Sequence, residues 1–287
     1  MYFSFQKNKL LSEVSTYGIG GPAKYYIEVN TVDDMQKVLS FCNNEKLPFF
    51  ILGKGSNCLF DSRGLNRLVI HNKIDFCTEI QPGHFHVGAG FSFSLLGTQV
   101  AKKGWTGLEF ASGIPATVGG AVYMNAGAQG QATFDTLSWV DYVSASGELK
   151  RYTKDAITYG YRITSFQKMQ GAIVSACFVL QPSSEARTNQ LALLQKRISS
   201  QPYQHKSAGC VFKNPPNTSA GALIDQCGLK GFRIGDAEVS TMHANFLINA
   251  SSASSHDMRA LIEHVQQTVK EKTGIDLHTE VMWVTDP

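Results

Sequence analysis

The first third of the chain alternates strand-like and helix-like patterns of apolar residues. Residues 24–29 are rich in β-forming side chains, and residues 48–52 are continuously apolar, which is typical of a buried parallel strand. Between them, Thr31 predicts a helix N-cap with Asp34 as its capping-box partner. The apolar face of that helix is formed by Met35, Val38, Leu39 and Cys42. This order predicts a βαβ-like opening.

The middle of the chain, residues 68–181, predicts strands joined by turns, with a helix at 93–100. The clearest strands fall at 85–87, 139–144 and 172–180. A boundary at residues 182–184 is followed by a helix that must end before Pro202. The apolar stripe of this helix is expected at Leu191, Leu194 and Ile198.

The last third holds the strongest helical pattern of the chain, which Gly274 ends as a C-terminal stop. Its apolar face is formed by Met258, Leu261, Ile262, Val265 and Val269. Residues 275–284 then predict a closing strand, whose polar face carries Asp276, His278 and Glu280. The complete pattern predicts an α+β protein.

The composition is that of an ordinary folded protein. Of the 287 residues, 43% are hydrophobic and 17% charged, with a net charge of +3, which excludes a disordered chain. Basic residues are spread along the sequence and form no cluster of the kind that binds nucleic acid. No apolar stretch approaches the ~18–20 residues of a membrane span. The six cysteines form no C-x-x-C pair. They predict mostly buried, reduced thiols in a cytoplasmic protein. The charge distribution and the hydropathy predict neither nucleic acid nor a membrane as a partner.

Three glycine-rich patterns compete as phosphate-binding loops. Residues 18–23 match G-x-G-x-x-A, but they precede a strand, whereas a dinucleotide-binding loop precedes a helix. Residues 88–90 follow a strand, but nothing else near them indicates a phosphate site. Both segments therefore predict turns. The sequence Gly53-Lys-Gly-Ser-Asn57 follows an apolar strand directly. Its glycines can turn backbone N–H groups into a concavity, where Lys54, Ser56 and Asn57 add donors. A plain β-turn is the alternative.

Residues 107–127 form a second candidate segment, which is dense in glycine, alanine and small hydroxyl residues. Such side chains let a backbone approach a flat ligand closely, with Ser112 and Thr117 reaching phosphate or ribityl oxygens. The alternative is a tightly packed turn of small residues.

Together with further motifs on either side, these segments resemble the UDP-N-acetylmuramate dehydrogenase family, the enolpyruvate reductases of peptidoglycan precursor synthesis. The shared motifs, in chain order, are STYGIGGPA, GKGSN, GLEFASGIPATVGGAVYMNAGA, YGYRITSF, SAGCVFKNP, GLKGFRIG, VSTMHAN and IDLHTEV. Few residues separate Arg162 from the strand at 172–180, and few separate that strand from the last domain. In this respect the chain resembles the family's shorter subtype. That subtype lacks a tyrosine loop that closes over the substrate.

The resemblance implies a two-lobed FAD-binding domain of the vanillyl-alcohol-oxidase/PCMH type, with lobes at residues 1–70 and 71–182. An α+β substrate-binding domain at 183–287 follows. It also implies non-covalent FAD, NADPH as reductant and a small-molecule UDP-sugar substrate, in a monomer. The enolpyruvyl group of UDP-N-acetylglucosamine enolpyruvate would be reduced to give UDP-N-acetylmuramate. Two alternatives remain: an FAD-dependent oxidase on the same scaffold, and an inactive flavin- or nucleotide-binding homologue.

Hydride addition to an enolpyruvyl group leaves negative charge that a fixed cation must stabilise, and a carbon that must be protonated. By the resemblance, Arg162 is the site arginine and Glu280 the site glutamate. Cys210 stands where the family usually has its proton-donating serine, and a thiol is a stronger acid than an alcohol. The alternatives are an ion pair for Arg162, an exposed strand position for Glu280 and a passive thiol for Cys210.

The resemblance places cofactor contacts in the two glycine-rich segments and one strand: Gly53, Lys54, Gly55, Ser56, Asn57, Ser112, Gly113, Ile114, Pro115, Thr117, Gly119, Gly120, Ala121, Asn125, Gly127 and Ile173. Substrate contacts are expected from Lys213 and Asn214, which follow Cys210 on the same loop, and from Tyr161, Lys230, Arg233, His243 and Asn245. The alternative is a half-buried core position for Tyr161 and a solvated position for each of the other four. No metal site is predicted. The pair His84 and His86 has no further ligand nearby and indicates a polar hairpin.

Overall fold

The computed structural model describes residues 3–286 of the chain. Its helices are α1 Val32–Asn44, α2 Phe93–Lys102, α3 Val118–Tyr123, α4 Thr133–Thr136, α5 Ala186–Ser200, α6 Ala220–Gln226 and α7 Ser255–Thr273. Short 3-10 helices lie at Leu11–Val14, Glu109–Gly113, Lys154–Ala156 and Ser165–Lys168. Within the described range, no helix is both long and apolar enough to span a membrane.

The strands are short and mostly antiparallel. In chain order they are β1 Gln6–Leu10, β2 Pro22–Val29, β3 Phe49–Leu52, β4 Cys58–Phe60, β5 Leu65–Asn72, β6 Cys77–Gln81, β7 His84–Gly88, β8 Trp105–Thr106, β9 Gly127–Ala128, β10 Gln131–Ala132, β11 Leu137–Ser144, β12 Leu149–Thr153, β13 Tyr159–Gly160, β14 Ile163–Thr164, β15 Gly171–Val179, β16 Gln181–Pro182, β17 Lys206–Cys210, β18 Arg233–Ile234, β19 Ala237–Val239, β20 Phe246–Asn249 and β21 Met282–Val284. The predicted α+β class is confirmed.

Two compact units share the described chain, and both are discontinuous in sequence. Unit one contains Tyr25–Lys54 and Arg67–Arg197, together with residues 3–6. Unit two contains Lys7–Lys24, Gly55–Asn66 and the residues from Ile198 onwards. The division into three domains at residues 70 and 182 stays a prediction.

Helix α1 of unit one forms as its sequence predicts. The Thr31 hydroxyl accepts a hydrogen bond from the Asp34 N–H at 3.1 Å, which caps the helix. The predicted apolar face is buried throughout, which confirms it: Met35, Val38, Leu39 and Cys42. Strand β3 follows and pairs in parallel with β5. Three of its four side chains are half-buried because β3 is an edge strand, so the prediction of full burial is wrong.

The larger sheet of unit one has the strand order β12-β11-β15-β7-β6. Its three middle strands are those predicted at 139–144, 172–180 and 85–87, and the predicted helix at 93–100 is α2. One face packs on a core that contains Phe85, Phe110 and Phe178. The predicted polar hairpin is confirmed as β6 and β7. Its His86 Nε2 lies 2.9 Å from Oγ of Ser175 in the neighbouring strand β15.

Unit two is built on the sheet β17-β20-β19-β18 and on α7. Every predicted apolar position of α7 is buried, and Gly274 ends the helix with φ at +75°. The same core contains Tyr17, Leu59 and Phe212. Strand β4 pairs in parallel with β21, Cys58 opposite Met282. The chain that leaves the glycine-rich loop at residues 53–57 therefore lies beside the C-terminal strand.

Two predicted elements are wrong in detail. In α5, Leu191 and Ile198 are 47% and 48% exposed, because helical spacing identifies a shared face but not what covers it. The closing strand is limited to β21, and residues 275–281 are irregular apart from a bridge between Phe212 and Thr279. Leu277 and Val281 are buried nevertheless. The alternating pattern therefore predicted correctly that these two side chains are buried, although the segment is not a β-strand.

Candidate active site

The glycine loop, residues 53–57, begins where β3 ends. At Gly55, whose φ is +65°, a Cβ atom would collide with the carbonyl oxygen of Val14. At Gly53, a Cβ atom would come within 2.6 Å of the Thr117 hydroxyl oxygen. Position 55 therefore requires glycine, whereas a side chain at Gly53 would have to displace the Thr117 hydroxyl. The contact of Gly53 with Thr117 also brings together the two segments that the sequence predicted to bind cofactor.

The glycine loop has backbone donors that other parts of residues 3–286 do not use. Within residues 3–286, the N–H groups of Lys54, Gly55 and Ser56 have no hydrogen-bond acceptor. The Lys54 side chain is exposed, and its cation adds to the same loop. Successive backbone N–H groups at a glycine with positive φ make an anion-binding concavity. The loop therefore fits the diphosphate of a dinucleotide such as FAD.

The second segment uses its hydroxyl groups internally. Thr117 caps α3 by accepting from the Gly120 N–H at 3.3 Å, and Ser112 donates to the Glu109 carbonyl at 2.7 Å. These bonds shape the backbone, and the predicted contacts to a cofactor stay predictions. The other candidates are Gly113 and Ala121, which are buried, Ile114 and Gly119, which are half-buried, Pro115, which is exposed, and Ile173, which is buried in β15.

Asn125 and Gly127 connect this segment to the hairpin that carries Arg162. The Asn125 side chain donates to the Gly160 carbonyl at 3.0 Å and accepts from the Phe134 N–H at 3.1 Å. The Gly127 carbonyl accepts from the Arg162 guanidinium at 2.8 Å. The structure thus brings two predicted cofactor residues together with the predicted site arginine.

Arg162 lies at the tip of the β13–β14 hairpin, where its φ is +59°. Its guanidinium donates to the carbonyls of Asn125 and Gly127, and its central carbon lies 4.9 Å from the ring centre of Tyr161. Tyr161 is 52% exposed, so it is not a core residue. Gln167, which the sequence motifs did not single out, donates to the Arg162 carbonyl at 3.1 Å.

Cys210 ends β17, opposite Phe246 in β20. The pairing is irregular between Ser207 and Cys210, and Gly209 has a φ of +76°, so the strand bulges immediately before the thiol. Bulges of this kind re-aim a side chain next to a functional site. The Cys210 side chain is half-buried.

Two hydrogen bonds hold the backbone of Glu280, one at its N–H and one at its carbonyl. Its N–H donates to the Val211 carbonyl at 2.7 Å, and its carbonyl accepts from the Asn57 side chain at 3.1 Å. The Asn57 carbonyl accepts in turn from the Met282 N–H at 2.9 Å. The residue after Cys210 and the end of the glycine loop therefore both position Glu280. Sequence motifs placed Asn57 on the cofactor and missed this contact.

The predicted substrate residues of unit two fall into two groups. Asn245 is buried, and its side chain both accepts from the Phe212 N–H and donates to the Phe212 carbonyl at 2.9 Å, so it holds the loop after Cys210. Lys213 is tied to the same loop, its N–H donating to the His278 carbonyl at 2.9 Å. Asn214 is exposed and accepts from the Ala220 N–H at 3.1 Å.

The second group lies on the neighbouring loops. Lys230 pairs with Asp225 at 2.6 Å, and Arg233 pairs with Glu238. Half-buried His243 packs its ring against Phe246, with 4.9 Å between ring centres. Lys230 and Arg233 thus each have a carboxylate neighbour, whose negative charge opposes the binding of a diphosphate to the same side chain.

The cysteines differ in burial, which makes several of the thiols less acidic. Burial raises the pKa of the Cys58 thiol to about 12, and of the Cys42 and Cys177 thiols to about 11. Cys227 is buried as well, whereas Cys77 and Cys210 are half-buried. Four of the six are buried, which confirms the prediction of mostly buried cysteines, and their reduced state stays a prediction.

Two family models match the chain in order. The model described as FAD binding domain matches residues 23–153, and UDP-N-acetylenolpyruvoylglucosamine reductase, C-terminal domain, matches residues 201–284. The UDP-N-acetylenolpyruvoylglucosamine reductase of Protochlamydia amoebophila is 55% identical over 280 residues, which cover 98% of this chain and 94% of that protein. The enzyme of the same name from Chlamydia muridarum is 47% identical over 279 residues, 97% of this chain and 94% of that protein.

A solved structure agrees with these sequence relatives. The crystal structure of UDP-N-acetylenolpyruvylglucosamine reductase from Thermus caldophilus superposes with a TM-score of 0.84 at 34% identity, covering 98% of this chain and 99% of that one. The fold and the motif order are thus shared over nearly the full length. The resemblance inferred from the motifs is confirmed, and the chain belongs to the UDP-N-acetylenolpyruvoylglucosamine reductase family.

Proposed function

We propose that the chain reduces the enolpyruvyl group of UDP-N-acetylglucosamine enolpyruvate to give UDP-N-acetylmuramate, with FAD bound and NADPH as reductant. The observation that carries the proposal is the hydrogen bond between the peptides beside two candidate catalytic residues. The carbonyl of Val211, next to Cys210, accepts from the Glu280 N–H at 2.7 Å. A thiol and a carboxyl group on two segments that this backbone hydrogen bond joins suit a reaction that protonates carbon beside a developing negative charge.

The cofactor and the protein divide the chemistry between them. FAD, when bound, accepts hydride from NADPH and supplies it to the substrate double bond. The protein must hold the flavin, stabilise the negative charge that appears on the enolpyruvyl group, and protonate the adjacent carbon. The N–H groups of Lys54, Gly55 and Ser56 support a role in holding the cofactor diphosphate, because no acceptor within residues 3–286 uses them.

Arg162 is the proposed partner of the substrate carboxylate. A planar guanidinium binds a carboxylate through two parallel hydrogen bonds, which a lysine cannot do. Its contacts with the carbonyls of Asn125 and Gly127 fix the side chain before substrate arrives. Less conformational entropy is then lost on binding.

Cys210 is the proposed proton donor. The S–H bond breaks as the new C–H bond forms, and the thiolate regains a proton from solvent. With an ordinary pKa of ~8.5, a thiol gives up its proton far more readily than the serine hydroxyl usual in the family. Glu280, as the carboxylic acid, is proposed to donate its O–H hydrogen bond to the developing negative charge, a role for which its backbone hydrogen bonds preorganise it. A thiol in this role requires a reducing compartment, so we place the protein in the cytoplasm.

Stopped-flow spectroscopy of the flavin tests this function. Holoprotein is reduced anaerobically with one equivalent of NADPH and then mixed with the enolpyruvyl nucleotide. We expect the absorbance of oxidised flavin to return and UDP-N-acetylmuramate to form. A flavin that stays reduced would show that the reductase function is wrong and would favour the inactive homologue. Reoxidation by oxygen but not by the nucleotide would favour the oxidase.

A further inference from the structure

Arg162 has a backbone conformation that needs support from its surroundings. Its φ of +59° lies in the left-handed region, which costs an ordinary residue roughly 1–2 kcal/mol. Such a conformation persists where neighbouring groups over-determine it, and residues of this kind are frequent at ligand-binding sites. A side chain that hydrogen-bonds the Arg162 peptide would supply such support.

Gln167 makes the relevant contacts. Its side-chain Nε2 donates to the carbonyls of Arg162 at 3.1 Å and of Tyr123 at 3.0 Å, and it also contacts the Met124 sulfur at 3.6 Å. A primary amide has two hydrogens, and both have a carbonyl acceptor here. Gln167 therefore ties the peptide of the strained arginine to the segment that precedes Asn125.

The contacts form a closed arrangement around the arginine. The Arg162 guanidinium bonds to the carbonyls of Asn125 and Gly127, while Gln167 joins the Arg162 carbonyl to Tyr123, two residues before Asn125. Backbone and guanidinium of Arg162 are thus fixed to the same short stretch of chain. A change at Gln167 would be transmitted to the direction of the guanidinium.

Gln167 is itself held by a rigid neighbour. It lies on the 3-10 helix Ser165–Lys168, whose Phe166 is 2% exposed and stacks on Tyr142 with ring centres 5.5 Å apart. Thr164, at the start of this turn, donates to the same Tyr123 carbonyl at 2.7 Å. The amide of Gln167 is therefore presented from a fixed point in the core of unit one.

We propose that Gln167 is a positioning residue, which fixes Arg162 in the geometry that binds the substrate carboxylate. This inference rests on the proposed function, in which Arg162 recognises that carboxylate. Gln167 then acts on the affinity and reactivity of ligands that carry the enolpyruvyl group. It has no part in recognising the UDP-sugar portion, which is common to UDP-N-acetylglucosamine.

The test is the substitution Gln167→Met in the holoprotein, which preserves side-chain length and removes both donors. Titration calorimetry should show about tenfold weaker binding of the enolpyruvyl nucleotide, the loss expected for hydrogen bonds worth about 1.4 kcal/mol. Binding of UDP-N-acetylglucosamine, which lacks the carboxylate, should change less than twofold. Flavin reduction by NADPH should also keep its rate, while reoxidation by the enolpyruvyl nucleotide slows.

Two further variants make the result decisive. Gln170→Met places the same substitution at an exposed glutamine three residues away and should match the wild type in every measurement. Gln167→Glu retains the shape of glutamine but cannot donate as a carboxylate at neutral pH, and it should give the same selective loss if Gln167→Met fails to fold. Equal weakening of both nucleotides, or no change at all, would overturn the inference. Wild-type flavin that the enolpyruvyl nucleotide cannot reoxidise would instead overturn the proposed function.

Discussion

The peptide N–H of Glu280 donates a hydrogen bond to the carbonyl of Val211 at 2.7 Å, although the two residues are far apart in sequence. The next N–H, of Val281, approaches the same carbonyl at 3.3 Å. Phe212 and Thr279 continue the contact as a bridge. The segment carrying the thiol and the segment carrying the carboxyl group are therefore joined through their backbones, so a change in one is expected to disturb the other.

Substitution of Cys210 separates the two halves of the proposed reaction. Cys210→Ser should retain activity within about tenfold, because a hydroxyl occupies the same position with a proton to give. Cys210→Ala should slow flavin reoxidation by the enolpyruvyl nucleotide by about 100-fold or more, the usual contribution of a general acid. Reduction by NADPH should be unaffected, and stopped-flow spectroscopy measures both steps.

Cys77→Ala is the matched control, since Cys77 is also half-buried but lies in β6, outside the proposed catalytic set. It should react like the wild type in both half-reactions. Normal turnover of Cys210→Ala would show that another group donates the proton.

Asn57 is predicted to act on Glu280 as well as on the cofactor. Asn57→Ala removes the bond from its side chain to the Glu280 carbonyl, a hydrogen bond of typically about 1 kcal/mol. We expect reoxidation by the enolpyruvyl nucleotide to slow by about fivefold at saturating FAD. The measurement is the single-turnover rate, with the flavin content of each sample determined from its absorbance. An unchanged rate with weakened FAD binding would show that Asn57 serves the cofactor alone.

The elements that the sequence predicts best are those whose structure depends on residues a few positions apart in the sequence. The cap on α1 needs Thr31 and Asp34, three positions apart, and the face of that helix repeats every three or four residues. Gly55 was singled out because glycine directly after an apolar strand can adopt a turn conformation that other residues avoid, and its φ of +65° agrees with this. Arg162 and Glu280 were found through motif resemblance, since their surroundings have no local periodic signal.

Long-range contacts were beyond such patterns. The Asn249 side chain donates to the Tyr17 carbonyl, and Ser62 and Ser255 exchange hydrogen bonds, so early segments complete a core formed mainly by the last third. Nothing in the local sequence around residues 7–24 encodes that partner. Gln167 was missed for a similar reason, because a lone glutamine has no pattern until the carbonyls that it bonds are placed.

Thiol reactivity should follow burial. With a pKa of about 12 for Cys58, and of about 11 for Cys42 and Cys177, these groups are almost entirely protonated at pH 8, and the thiolate is the reactive form. Iodoacetamide applied to native protein should leave these three unmodified, while half-buried Cys210 is labelled. Peptide mass spectrometry before and after denaturation measures this. Labelling of Cys58 as fast as Cys210 in the native protein would contradict the prediction.

Asp61 should make the protein sensitive to acid. Hydrogen bonds from Arg63 hold the pKa of its carboxyl at about 2, below the ordinary value of ~3.9. Because the folded-state pKa is the lower one, the ionised carboxylate stabilises the fold above pH ~4. That contribution is lost as the pH falls from about 4 to 2. Asp61→Asn should cost about 1 kcal/mol of unfolding free energy at pH 7, since the Arg63 side chain is exposed and screened.

Urea unfolding at several pH values measures the difference between wild type and Asp61→Asn, which should shrink toward pH 2. The control is Asp33→Asn, which breaks an exposed helix pair with Lys37 and should change the unfolding free energy less than Asp61→Asn does at every pH. A difference for Asp61→Asn that does not vary with pH would show that its carboxylate charge is not the stabilising feature.

Two buried tyrosines should respond to the same substitution with opposite signs. Within the described residues, the Tyr17 hydroxyl is buried without a hydrogen-bond partner, and burial raises the pKa of that phenol. The Tyr26 hydroxyl instead contacts Glu28 at 2.9 Å and His71 Nδ1 at 2.6 Å. Tyr17→Phe removes an unsatisfied polar group and should raise the unfolding free energy by about 0.5–1 kcal/mol, whereas Tyr26→Phe should lower it by about 1 kcal/mol. Urea denaturation at fixed FAD concentration compares the two, and a loss of stability in Tyr17→Phe would show that its hydroxyl has a bound partner such as water.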